Sequence, residues 1–91
     1  MSVTKVKLIA RIGTNGELTD PWKDPEHVKT VRYHTHGGVM VIGYKTSRNL
    51  PVMAGRTVCV MERGETPYEI ISRYHGRTLW ICGGRKTYDV W

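Results

Sequence analysis

Cys59 and Cys82 are the only cysteines in the 91-residue chain. Each is embedded in an apolar run, and the pair lacks Cys-x-x-Cys spacing, which argues against a disulfide framework and a cysteine-ligated zinc site. Two buried free thiols and no metal centre are therefore expected. No apolar stretch approaches the roughly 20 residues a membrane-spanning helix needs. The first ten residues carry Lys5 and Lys7 through their apolar positions, unlike a secretory signal, so a cytoplasmic protein with no membrane partner is expected. Repeats, linkers and low-complexity segments are also lacking, and the length leaves room for one domain with a small core. Acid is the scarcer charge, with 8 Asp and Glu against 14 Lys and Arg, a formal charge of +6. That balance suits an anionic partner, either nucleic acid or a phosphorylated small molecule. The basic residues are spread from Lys5 to Lys86 without a cluster, which weakens the nucleic-acid reading and favours one anionic ligand.

What is present is an alternation of short apolar runs and helix signals. Val6, Leu8, Ile9 and Ala10 read as a first strand ending near Ile12, followed by turn chemistry at Thr14-Asn15-Gly16. Asp24-Pro25-Glu26 supplies a cap, a proline for the first helical position and an acid for the positive end of the dipole. The helix it opens, through "HVKTVRYHTH", is rich in β-branched residues but carries one face at Val28, Val31 and Arg32, and Gly37-Gly38 ends it. Residues 39–42 and 57–61 are continuous apolar runs of the kind buried strands show. Residues 44–50 fit a short helix before Pro51. Thr66-Pro67-Tyr68-Glu69 has capping-box spacing, Ile70 and Ile71 give its helix an apolar face, and Gly76 stops it. Residues 78–82 form the last strand, and Gly83-Gly84 leads into a final helix over 85–91. The alternation predicts a single-domain α/β fold, a mainly parallel sheet of about four strands with helices on both faces.

Ligands of open parallel sheets sit beyond the carboxyl ends of the strands. Two of the predicted strands end there in glycine followed by a helix, at Ile42-Gly43 and Cys82-Gly83. Helix N-termini offer unsatisfied N–H groups, and glycine lets an anion approach the backbone, so the two junctions suit the two halves of one pyrophosphate. Lys45, Thr46, Arg85 and Lys86 lie beside them. Tight turns alone also call for glycine, and either junction by itself is equally well read that way.

In order, the chain carries "LIARI", "NGEL", "DPW", "VMVIGYKTSRNL", "AGRTVCVMER" and "WICGGRKTYDV". This series resembles dihydrofolate reductase over essentially the whole chain, and the chain resembles only the N-terminal part of that family's length. The resemblance implies an NADPH-dependent oxidoreductase that reduces 7,8-dihydrofolate to tetrahydrofolate, with hydride to C6 and a proton to N5. It implies that Gly43, Lys45 and Thr46 line the NADPH phosphates, that Gly83 and Gly84, joined by a cis peptide, face them with Arg85 and Lys86 adjacent, and that Arg63 binds the adenosine 2′-phosphate. Arg56 resembles the arginine that grips the folate carboxylate, a task suited to a bidentate guanidinium. Ile9, Ala10 and Trp22 resemble residues around the pterin.

Three departures from that pattern bear on function. The position of the family's pterin-binding carboxylate holds His27, preceded by Glu26; the candidate proton donors are His27, whose imidazole titrates in a useful range, and a neighbouring carboxylate turned inward, Glu26 or Asp24. Val31 stands where an aromatic packs on the pterin. The segment from Gly13 to Asp20 is shorter than the family's active-site lid. In the family the final strands pair beside the first, so the resemblance implies that the first strand is an exposed edge here, and a homodimer is expected, joined through that strand or through an apolar surface that the family's final strands cover. Alternatives of other kinds are a non-catalytic NADPH- or folate-binding protein, a reductase of another pterin, and a small basic nucleic-acid binder with Trp22, Tyr33 and Tyr44 as stacking faces.

Overall fold

Four strands, β1 (Val6–Leu8), β2 (Val39–Gly43), β3 (Thr57–Met61) and β4 (Leu79–Gly83), form one sheet in the computed structural model, which describes residues 4–10, 21–51 and 54–91. Their order is β1-β4-β2-β3, and every neighbouring pair is parallel. A 3₁₀ turn (Pro21–Lys23) and α1 (Pro25–Thr35) connect β1 to β2, α2 (Tyr44–Ser47) lies between β2 and β3, α3 (Pro67–Arg73) joins β3 to β4, and α4 (Arg85–Val90) follows. The α/β architecture with an all-parallel sheet is the one the alternating pattern predicts. The expected turn at residues 14–16, the shortened segment at 13–20 and the predicted strand end at residue 12 lie outside the described residues.

Local chemistry accounts for most element ends. Asp24 caps α1, its carboxylate accepting the Glu26 N–H at 3.1 Å, with Pro25 in the first turn. The buried face of α1 is Val28, Val31 and Thr35, so the predicted place of Arg32 is corrected: Arg32 is exposed. Thr35 can take a core position because its hydroxyl donates to the Val31 carbonyl at 2.7 Å, leaving only its methyl to pack. At the other end Gly37, at φ +79°, carries the chain away from the helix and donates to the Gly55 carbonyl. Thr66 caps α3 by accepting the Glu69 N–H at 3.3 Å, with Pro67 in the first turn, as the capping-box spacing predicts. The predicted helix over 44–50 is corrected to one turn. It stops at Ser47, whose carbonyl accepts the Leu50 N–H, because the residue before Pro51 is driven from helical geometry.

Side chains alternate across the strands and divide the core in two. Val39, Val41, Cys59, Met61, Leu79 and Ile81 pack on Ile70 of α3, with Tyr88 and Trp91 against them. Met40, Ile42 and Cys82 face Val28 and Val31 of α1. Fully burying a side chain such as Ile81 contributes about 1.5–3 kcal/mol, so the central pair β2 and β4 anchors the domain. β1 is different. Among the described residues it pairs only with β4; it ends at Leu8 although Ile9 still donates to the Ile81 carbonyl, and leaves Val6 39% and Leu8 58% exposed. Lys7, on the opposite face, holds its Nζ 5.1 Å from the centre of the Trp80 ring. No helix among the described residues is long and apolar enough to cross a membrane.

Candidate functional site

Parallel strands all point their carboxyl ends to one edge, and the sheet order sets what lies along it. From one side to the other the edge carries Ile9 after β1, Gly83-Gly84 at the end of β4, Gly43 at the end of β2, and Glu62 after β3. At the middle, β2 and β4 are pressed together with the helices that follow them. A Cβ on Gly43 would lie 2.7 Å from the Thr87 hydroxyl oxygen, and one on Gly84 would lie 2.9 Å from that of Thr46. The two glycines therefore let each strand end meet the other's helix, a requirement of packing that exists whatever ligand binds. The Gly83–Gly84 peptide is cis, as the resemblance implies, and Gly83 takes φ +127°.

A cleft of about 960 Å³ opens over this junction, within the size range of small-molecule sites. Gly43, Gly84 and Thr87 line it, and among the described residues its cations are Lys45, Arg63, Arg85 and Lys86. Three carboxylates, Glu62, Glu65 and Asp89, share the lining, but Glu65 is bonded to Arg73 at 2.8 Å, so its charge is already matched. The cleft is left electropositive. All the residues expected at the nucleotide phosphates except Gly83 line this one cleft, and Gly83 is buried next to Gly84.

The other end of the edge is apolar. Trp22 is half-buried and donates from Nε1 to the Thr46 carbonyl at 2.8 Å, which ties the turn before α1 to α2. Ile9 packs on the same apolar cluster as Trp22, and its carbonyl accepts a hydrogen bond from the Tyr88 hydroxyl. Burial pushes the Tyr88 phenol well above its ordinary range, with Cys82 adding to the effect, so the hydroxyl keeps its proton and its role as donor. Burial likewise pushes the Cys82 thiol up to about 12. Cys59 is also a buried free thiol, raised first by burial.

The remaining expected site residues divide. His27 is half-buried, whereas Glu26 is exposed on the outer side of the first turn, where its N–H is used by the Asp24 cap. Val31 is 1% exposed, so it supports the site from within the core. Ala10 is exposed beyond β1. Arg56 stands apart from the cleft. It precedes β3 at the amino end of the sheet, and its guanidinium donates to the Ala54 carbonyl and, at 2.9 Å, to the Arg32 carbonyl near the end of α1. Its Nε is buried without a hydrogen-bond partner among the described residues.

Sequence reasoning missed Thr87, Glu65 and Arg73. Gly64, a breaker between the strand at 57–61 and the helix opened by Thr66-Pro67, is the signal of a turn that could have led to Glu65. Nothing in the sequence marks Thr87, whose part is defined by a glycine far away in the chain.

No family model matches the chain. The chain is 35% identical over 89 residues to the dihydromethanopterin reductase of Methylorubrum extorquens. The match covers 89% of this chain and 64% of that protein, so the chain spans less than two thirds of the relative's length. Along that span it is similar to an enzyme named for the reduction of a pterin.

Proposed function

We propose that the chain acts as an NADPH-dependent reductase of a 7,8-dihydropterin, with dihydrofolate as the substrate, delivering hydride to C6 and a proton to N5. One observation carries this reading. The order β1-β4-β2-β3 brings the apolar side chains of Ile9 and Trp22, the glycine-lined junction of β4 and β2, and the cationic cleft to one edge of the sheet, an order that suits a pterin, a nicotinamide, a pyrophosphate and a ribose phosphate in turn.

The residues present fit such a cofactor. Lys45, Arg85 and Lys86 offer charge-assisted bonds to the pyrophosphate, Arg63 suits a 2′-phosphate, and the glycines leave room for the backbone to be approached. Bound reduced nicotinamide supplies the hydride. The chain's own part is to hold the rings together and deliver the proton. Trp22, tied to Thr46, and Ile9, tied to Tyr88, are walls fixed from both sides of the sheet edge. His27, half-buried on the α1 turn packed against the Trp22 segment, is the proton donor to N5. Between His27 and Arg32 the helix rises about 7.5 Å, so an elongated substrate with its ring at Trp22 extends its carboxylate toward Arg56, which is bonded to the Arg32 carbonyl. The relative's name favours a second reading, in which the pterin is dihydromethanopterin.

The test is loss of reduced-nicotinamide absorbance with NADPH and either dihydrofolate or dihydromethanopterin. Turnover of one of them is expected, with His27→Ala lowering kcat by about a hundredfold or more and Glu26→Gln leaving it near wild type. Cofactor binding with no turnover of either pterin would overturn the reading and leave a nucleotide-binding protein. We further propose that a second copy pairs with the exposed edge of β1, where Val6 and Leu8 stand uncovered.

A further inference from the structure

Between β3 and α3 the chain reverses through Glu62, Arg63, Gly64 and Glu65. The Glu65 N–H donates to the Glu62 carbonyl at 3.1 Å, and Gly64, at φ +89°, occupies the position that a type II turn reserves for glycine. The Glu65 side chain then closes the same turn a second time. Its Oε1 accepts the Glu62 N–H at 2.7 Å, and its Oε2 accepts from Arg73 at 2.8 Å. Arg73 ends α3, which is anchored in the core by the fully buried Ile70. The turn is therefore tied across its base and fastened to a helix. Arg63 is its exposed corner on the rim of the cleft, and it bonds to no other described residue.

We infer that Glu65 and Arg73 are positioning residues that hold Arg63 ready for a phosphate on the nucleotide ribose, and that this pair sets the preference for a 2′-phosphorylated nucleotide. The inference rests on the dinucleotide reading of the cleft and deepens it. An arginine on a loose loop loses both loop and side-chain freedom when it binds, and a turn closed beforehand removes the loop's share of that cost. Arg73 has a second effect. A bare carboxylate beside a phosphate site repels the ligand, and the ion pair with Arg73 cancels that charge at Glu65, leaving Glu62 and Asp89 as the acids of the cleft without an ion pair among the described residues.

Calorimetric titration of the whole chain with adenosine 2′,5′-bisphosphate and with 5′-AMP separates positioning from folding, because unfolding weakens both ligands whereas loss of Arg63 placement weakens only the first. Wild type is expected to prefer the bisphosphate by about tenfold or more, and Arg63→Gln to bring the ratio near unity. Glu65→Gln lowers the ratio by about three- to tenfold. Arg73→Leu lowers it further, because it also uncovers the Glu65 charge, and Arg73→Lys retains more of it than Arg73→Leu. A wild-type ratio in both Glu65→Gln and Arg73→Leu, with the ratio lost in Arg63→Gln, would overturn the positioning inference and leave the cleft reading intact. Failure of the wild-type chain to bind either nucleotide would overturn both.

Discussion

Thr87 and Thr46 each reach into space that a glycine leaves open, and the packing of the site depends on that exchange. A methyl group added at Gly43 would stand 2.7 Å from the buried Thr87 hydroxyl, so Gly43→Ala forces α4 away from β2. Overpacking of this kind costs about 1–3 kcal/mol. The loss should appear in urea denaturation, and Thr87→Ala in the same chain should recover part of it, because the two positions share one contact. A neutral Gly43→Ala would mean that the strand end and the helix are not held against each other. The same residue pair shows why the glycines are ambiguous in sequence. Their spacing beside Lys45 and Arg85 suggests a phosphate site, whereas the reason for Gly43 that the geometry supplies is a threonine 44 positions later.

Among the elements, the β3–α3 turn is held by a carboxylate whose protonation can be followed. The Glu62 N–H, and after it the Arg73 guanidinium, hold the Glu65 carboxyl below its ordinary value of 4.5. A carboxyl depressed on folding contributes stability that is fully present above its unfolded pKa and is lost as pH falls through the lower, folded value. The stability difference between wild type and Glu65→Gln should therefore be constant above pH 4.5 and shrink below it. Denaturant melts across that range check this, and a difference that grows on acidification would contradict it. Added salt should weaken the Arg73 part, since that side chain is 49% exposed. Helices whose ends are made by adjacent residues are legible in the sequence: Asp24-Pro25 and Thr66-Pro67 start α1 and α3 where predicted. The short α2 is overextended by the same reasoning, because the helical pattern of residues 44–50 says less than Pro51 does about where the last turn must end.

For the whole molecule, the proposed assembly rests on β1. In antiparallel pairing centred on Lys7, Val6 of one copy would face Leu8 of the other, joining four exposed apolar side chains into one patch. Lys5 and Lys7 oppose the same pairing by repulsion, and charged, short edges are a common defence against it. Sedimentation should therefore find a dimer that strengthens with salt, and Leu8→Asp should make it monomeric and remove the dependence of the melting temperature on protein concentration. A wild-type monomer at high salt would remove the dimer from the proposal.

The sequence by itself determined the parallel α/β alternation, the capped starts of α1 and α3, and the residues that gather at the carboxyl edge, because these follow from periodicity and from chemistry between near neighbours. Only the tertiary structure decided that Thr35 and not Arg32 completes the α1 face, that Glu26 faces solvent while His27 is half-buried, that Arg56 sits at the opposite end of the sheet from the cleft, and that Glu65 and Arg73 fasten the turn that carries Arg63. Each of those depends on which strands become neighbours and how closely they pack, and the order β1-β4-β2-β3 is fixed by contacts between residues far apart in the chain.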